Sequence, residues 1–315
     1  MTRIPVDDMS SNSTDGDSSR PEPSRPEAWR YDPQQDPVET LPSVSLDDLA
    51  ALPARPGVYV FFGLNDLPLY VGKSVDIRSR IRSHVQQPAS RRHAQMIDQT
   101  QRIAWLRTSG DLGAQLLEAD LIKRWVPLYN RQLRKRVRMV SWNWPEGDAR
   151  PALTDGQWVV TARTQFYGLF RNRRDAQMTL RDIATEESLC LRVLGLEAGS
   201  GRCFGYQIGR CRGACCGGET LDDHASRARD AMERLRIENW PWPGRVAFRE
   251  TNRYGEAGLH IVDHWHYQGS VARLEELDVL PDTRGFDIDT YRILNRFIAA
   301  PSPAIEAIPI DGEID

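Results

Sequence analysis

The sequence predicts an α+β protein: a small domain built on a three-stranded antiparallel sheet with helices, followed by a mixed domain organised around cysteines. Three observations carry this. Two short apolar runs flank a four-residue turn at 57–71, segments of helical periodicity follow them, and four cysteines crowd into residues 190–215. The chain of 315 residues, 40% hydrophobic and 27% charged, has room for two compact domains. No apolar run approaches the roughly 18 residues of a membrane span, and the polar N-terminus lacks the core of a secretory signal, so the expected location is the cytoplasm, with no membrane partner.

Residues 1–44 are dense in Ser, Asp, Glu and Pro and are expected to be a disordered acidic tail, since they bury too little to offset ordering entropy. The first domain is expected over 45–138, opening with a short helix in SLDDLAAL capped by Ser45. Gly57–Phe62 and Leu67–Val71 around Gly63-Leu64-Asn65-Asp66 read as a β-hairpin. Asp76 then caps a helix with Ile77, Ile81 and Val85 on one stripe and Arg80 and His84 on another. A polar helix at 91–100, a strand from Ile103 and a helix from Leu112 to Val126, stopped by Pro127, complete the order β-β-α-α-β-α.

A cysteine-cluster domain is expected over 139–250. Strands are expected at Trp158–Thr161 and Phe166–Phe170, helices at Arg174–Ala184 and Leu221–Glu238, and an acidic C-terminal region over 251–315.

Charge is segregated. Residues 1–50 hold 4 basic and 11 acidic side chains, 51–138 hold 16 and 6, and 251–315 hold 5 and 12. A block of +10 in a protein of net charge -3 is the footprint of a polyanion partner such as nucleic acid, with an ordinary solvated basic surface as the alternative.

On the 112–126 helix, at 100° per residue from Leu112, Asp120, Lys123 and Arg124 cluster at about 80°, 20° and 120° and define an expected solvent face. Glu118 falls at about 240°, beside Leu121 and Trp125. A carboxylate on a buried side needs a partner, either an arginine or a divalent metal ion. Glu118 is the one acid of this domain that the wheel places well, which favours one metal over two.

Gly57-Val58-Tyr59, then Leu69-Tyr70-Val71-Gly72-Lys73, then Arg78 and Arg80, then Glu118 and Asn130, resemble in order and spacing the GIY-YIG nuclease module. The resemblance implies hydrolysis of a phosphodiester, which needs a nucleophilic water, a base, and positive charge where the transition state gathers negative charge. It implies Mg2+ or Mn2+ on Glu118. Tyr70 is the expected base with Tyr59 nearby, although the sequence alone does not separate their roles, and Lys73 and Arg80 are expected to favour the phenolate. Arg80 is the expected phosphate clamp, and Arg78 and Arg82 would contact flanking DNA phosphates. Gly72 allows a close approach or a turn, and Asn130 would orient the site or simply end the helix. His84 departs from the tyrosine usual in UvrC-type members, though it could still hydrogen-bond water or phosphate.

Cys190-x12-Cys203-x7-Cys211-x3-Cys215 favours a metal site, although the gaps fit paired zinc knuckles poorly. The stretch LCLRVLGLEAGSGRCFGYQIGRCRGACCG resembles the cysteine region that follows the nuclease module in the UvrC family, closest to its shorter stand-alone Cho type. That resemblance implies a [4Fe-4S] cluster on these four cysteines, with zinc or unliganded thiols as alternatives and Cys216 outside the ligand set. It further implies incision of damaged double-stranded DNA on the 3′ side of a lesion with a UvrB-type partner, in nucleotide excision repair. A GIY-YIG nuclease of another pathway and a non-catalytic DNA-binding adaptor are the alternatives.

Overall fold

The computed structural model describes residues 43–131, 133, 139–155, 164–199, 202–280 and 285–311. Most of the expected N-terminal tail and the strand expected at Trp158–Thr161 lie outside the described residues. The first unit holds β1 (Ser43–Val44), β2 (Gly57–Phe62), β3 (Pro68–Ser74), α1 (Ile77–Gln86), α2 (Arg91–Asp98), β4 (Arg102–Arg107) and α3 (Asp111–Trp125). Its sheet is antiparallel in the order β1-β4-β2-β3, so the three expected strands gain the two-residue β1, formed by the last two residues of the stretch expected to be tail.

Strand periodicity sorts the side chains of β2. Val58, Val60 and Phe62 face one way and pack with Leu121 and Ile122 of α3, whereas Tyr59 and Phe61 face the other way and pack with Ile77, Ile81 and Met96 of α1 and α2. All six residues of β2 are therefore buried. Asp76 caps α1 by accepting from the Ser79 amide at 2.9 Å, as its sequence implied. The helix expected over SLDDLAAL is instead a pair of turns. Leu46, Leu49 and Leu52, spaced by three, all enter the core beside Tyr59, and eight residues stopped by Pro53 are too few to sustain a helix.

The second unit pairs β5 (Val140–Asn143) with β6 (Ala152–Asp155) and β7 (Phe166–Phe170), and packs this sheet on α4 (Arg173–Glu186) and α6 (Leu221–Met232). Between those helices runs the cysteine segment with the short α5 (Phe204–Gln207). The helix expected to reach Glu238 ends at Met232 in a 3-10 turn, because the Ile237 amide leaves to bond the Phe166 carbonyl at 2.9 Å.

The third unit is β8 (Val246–Thr251), β9 (Ala257–Asp263), β10 (His266–Val271), α7 (Ile288–Ala299) and β11 (Ile305–Pro309), with strand order β10-β9-β8-β11. The expected boundary at 250 falls inside β8; it followed a change in charge, which marks a surface and not the start of a strand. This unit also corrects the solvent face expected for α3. Leu112, Leu116 and Ala119 share a core with Trp240, Phe248, Val262 and Leu294, and the Lys123 side chain is only 8% exposed. α3 is thus covered on both sides. No helix among the described residues is long and apolar enough to cross a membrane.

Candidate active site

Register brings the two tyrosines together. Tyr59 on β2 stands opposite Gly72 on β3, and Phe61 stands opposite Tyr70, so all four share one face. The Tyr59 and Tyr70 rings lie 6.2 Å apart and lean into the space over Gly72. A Cβ there would come within 2.5 Å of the Tyr59 hydroxyl and 2.7 Å of the Tyr70 ring, so the glycine is what admits both phenols. Tyr70 lines an open cleft of about 580 Å³ together with Arg80, His84, Arg91, Arg92, His93, Tyr129 and Arg131. Tyr59 sits behind it, 1% exposed.

From Tyr59 a row of short hydrogen bonds leads outward. Its hydroxyl lies 2.7 Å from His84 Nε2, and His84 Nδ1 lies 2.6 Å from His93 Nε2. Burial, reinforced by His93 and Arg80, pulls the His84 pKa down to about 4, so this imidazole is neutral at pH 7. Burial and Arg80 likewise hold His93 below the usual histidine range. The imidazole at 84 therefore joins Tyr59 and His93 through its two ring nitrogens. His93 was not found from the sequence, because nine residues and a helix break separate it from His84.

On the other side of the sheet edge, Glu118 Oε1 accepts the Lys73 backbone N–H at 3.0 Å. Burial drives its pKa up to about 7, against the opposing Lys73 N–H, the Lys73 charge and Arg80, while Asp111 adds to the rise. A half-buried carboxylate so poorly compensated is suited to receive a cation. Asp111, which the sequence reading passed over, binds Lys73 Nζ at 2.6 Å. The signal was available: on the same helical wheel it falls at about 260°, two turns before Glu118. Lys73 is consequently held by Asp111.

Arg80 favours the phenolates as expected, but burial outweighs it and Lys73 is not among the groups acting on them, so both phenols are shifted upward. Burial raises the Tyr59 pKa, and burial and the Glu118 charge raise that of Tyr70; Arg80 opposes both. Arg80 is exposed at the cleft and acts on both tyrosines, both histidines and Glu118, so it occupies the electrostatic centre of the group. Arg78 is anchored through Nε on the Leu52 carbonyl at 2.5 Å, and Arg82 is exposed on α1 outside the cleft lining. Asn130 does not enter the cleft. Its amide accepts from Val71 N and donates to Val71 O, both at 2.9 Å, and so plays the part of a neighbouring strand along the free edge of β3. It fixes the backbone between Tyr70 and Gly72.

The UvrC-like GIY-YIG domain family matches residues 55–131, the middle domain of the UvrC/Cho excinucleases matches 140–234, and the excinuclease Cho C-terminal domain matches 245–313. Excinuclease cho of Escherichia coli K12 is 45% identical over 248 residues, 77% of this chain and 82% of its own length. The chain belongs to the UvrC/Cho excinuclease family. Excinuclease cho of Salmonella typhi is 43% identical over 257 residues, covering 78% of this chain and 84% of that one. The UvrABC system protein C of a Ruegeria species is 31% identical over 200 residues, 63% of this chain and 31% of that protein. The magnesium-bound GIY-YIG endonuclease domain of Thermotoga maritima UvrC matches at 28% identity over 27% of this chain and 92% of its own, with a TM-score of 0.25. This excinuclease relative is therefore a nuclease with a GIY-YIG domain of antiparallel sheet and helices.

In the second unit of this excinuclease the cysteines form a cluster that could hold a metal. The sulfurs of Cys190, Cys203 and Cys215 all lie within 4.8 Å of one another, and Cys211 Sγ is 3.4 Å from Cys203 Sγ. Cys190, Cys203 and Cys211 are buried, and burial raises their thiol pKa values. Backbone N–H groups are already turned towards the sulfurs: Tyr206 N donates to Cys203 at 3.3 Å, and Val193 and Gly213 donate to Cys190 and Cys211. Cys216 donates to the Gly213 carbonyl at 3.3 Å and touches the cluster only through the Cys215 thiol.

Proposed function

We propose that this chain is a divalent-metal-dependent endonuclease that incises damaged double-stranded DNA on the 3′ side of a lesion, in nucleotide excision repair and together with a UvrB-type protein. The observation that carries the chemistry is Tyr70 and Arg80 on one cleft with the half-buried Glu118 near enough to act electrostatically on Tyr70 and to be acted on by Arg80. Glu118 and the strand edge around it would hold Mg2+ or Mn2+, which supplies positive charge to the scissile phosphate and the leaving oxygen. Tyr70, reaching the cleft, is the general base, and its hydrogen bond to Tyr59 opens the row through His84 to His93 along which a proton can be passed on. Arg80 clamps the phosphate through two donors. Arg78 and Arg82 contact the flanking strand, and Lys73, held by Asp111, and Asn130 hold β3 in place.

These parts position and cut phosphates but read no bases, and the described helices at the cleft carry no base-reading motif, so the lesion is chosen by the partner. The relatedness to excinucleases and to a UvrABC system protein supports incision as one part of a larger excision system. The test is nicking of a lesion-bearing duplex with and without a divalent ion, with UvrB preloaded or omitted. The expected result is incision only when ion, lesion and partner are all present. A reaction unchanged by chelation, or equally fast on undamaged DNA, contradicts the proposal.

For the cysteine cluster we propose a [4Fe-4S] centre on Cys190, Cys203, Cys211 and Cys215. Four thiols with N–H donors facing their sulfurs suit it, since such donors stabilise the charge of a cluster. One observation favours zinc: the 3.8 Å between Cys190 and Cys203 sulfurs equals the edge of about 3.8 Å that follows from Zn–S bonds of about 2.3 Å in a tetrahedron. Metal analysis of anaerobically purified protein separates the two. The expected protein is brown with about four irons per chain, whereas colourless, folded protein with one zinc contradicts the cluster. Cys203→Ser is expected to unfold the second unit, because ligation supplies folding free energy there, while Cys216→Ser is nearly silent.

A further inference from the structure

The helix that carries Glu118 lacks a cap of its own. Its N-cap residue is Gly110, which has no side chain to accept from the first turn. The N–H groups that an N-cap side chain ordinarily serves, at the second and third helical positions, belong here to Leu112 and Gly113. Both donate to one carboxylate from elsewhere in the chain: Leu112 N to Glu250 Oε1 and Gly113 N to Glu250 Oε2, each at 2.9 Å. Glu250 lies on β8 of the C-terminal unit and is 5% exposed.

The surroundings are shaped for this contact. A Cβ at position 110 would overlap the Glu250 carboxylate, and one at position 113 would overlap the His260 ring, so glycine at both places clears the approach. His260 Nε2 stands 3.2 Å from Glu250 Oε2, and its Nδ1 is 2.7 Å from the Ser270 hydroxyl, which fixes the ring from behind. Burial alone would raise the Glu250 pKa; His260 and the two helix amides outweigh it and hold the carboxylate charged. A negative charge at this end is also stabilised by the positive end of the helix dipole.

The same unit grips the other end of the helix. Lys123 Nζ lies 2.6 Å from Asp287 and 2.7 Å from Asp289, at the start of α7. Asp111, bound to Lys73, adjoins the first grip, and Glu118, bound to the Lys73 amide, stands between the two. Any slide or rotation of α3 therefore moves Glu118 relative to Tyr70 and Arg80.

We infer that Glu250 is the N-cap of the catalytic helix, supplied by the C-terminal unit, and is a positioning residue for Glu118. The C-terminal unit then completes the nuclease site from outside the nuclease module. The inference rests on the reading of Glu118 as the metal ligand.

The test uses the full chain in single-turnover cutting at varied Mg2+. Glu250→Ala should lower the saturating rate by about tenfold or more, since small misplacements of a reacting group have effects of that size, and raise the Mg2+ needed for half-saturation. DNA affinity, set by the arginines, should stay within about twofold. The decisive variant restores a cap from within the helix. In the Glu250→Ala background the space at position 110 is empty and its backbone is extended, so Gly110→Asp should recover most of the rate. A folded Glu250→Ala protein at wild-type rate overturns the inference, as does a slow one that Gly110→Asp fails to restore. If Glu250→Ala does not fold, Glu250→Gln is read instead by amide exchange: faster exchange at Leu112 and Gly113 with a slower cut is expected, and unchanged exchange overturns the cap. Glu118→Gln in the same assay reports separately on the metal-ligand reading, because amide exchange at 112 and 113 judges the cap whether or not Glu118 binds metal.

Discussion

Glu118→Gln is expected to abolish cleavage, with a loss of at least about 10³-fold in single-turnover rate, the scale on which charged transition-state stabilisers act. The amide keeps a carbonyl oxygen able to accept the Lys73 N–H, so the contact between α3 and β3 survives while the charge is lost. Stability should hold or rise at pH 7. The folded pKa of Glu118 is raised to about 7, above its ordinary value, so ionising this carboxylate costs stability as pH climbs past the ordinary carboxylate range. Removing the ionisable group removes that cost. DNA affinity should be equal or slightly higher, with one negative charge fewer near the cleft. Metal-dependent cutting within about tenfold of the parent, measured in the same assay, would end the ligand assignment.

The second large effect is expected at Tyr70. Tyr70→Phe keeps the ring that packs near Tyr59 and Phe61 but removes the cleft-facing hydroxyl, and should slow turnover by about 10² to 10⁴ fold if that oxygen is the base. Tyr59→Phe should cost less, because Tyr59 is buried behind Tyr70 and acts through it and His84. Burial raises the pKa of both phenols, so cutting should strengthen with rising pH through the alkaline range in the parent and lose that dependence in Tyr70→Phe. If Tyr59→Phe proves the more damaging of the pair, the roles are exchanged.

Much of this site can be read from residues close in sequence. The β2–β3 hairpin, the Asp76 cap and the helix ending at Pro127 follow from local periodicity and turn chemistry, and they bring Tyr59, Tyr70 and Gly72 onto one face. Asp111 was equally legible, being two turns from Glu118. Other features depend on chain distant in sequence. Asn130 is recognisable as a strand surrogate only once Val71 lies beside it. His93 joins His84 only because α1 and α2 pack together. The polar face of α3 looked solvent-exposed because Lys123 and Asp120 are charged, and nothing local announces that Asp287 and Asp289 meet Lys123 from another unit. The uncapped Ser109-Gly110-Asp111 start of α3 was a local hint that its partner lay elsewhere.

The measurement that bears most directly on the function is cleavage mapping on a duplex carrying one lesion at a defined position, labelled in turn at either end of the damaged strand. With Mg2+ and a preloaded UvrB-type protein, the account predicts a single nick at a fixed distance on the 3′ side of the lesion, lost in Glu118→Gln. Cuts placed by DNA sequence instead of by the lesion, made as fast on undamaged duplex by the chain alone, would contradict it.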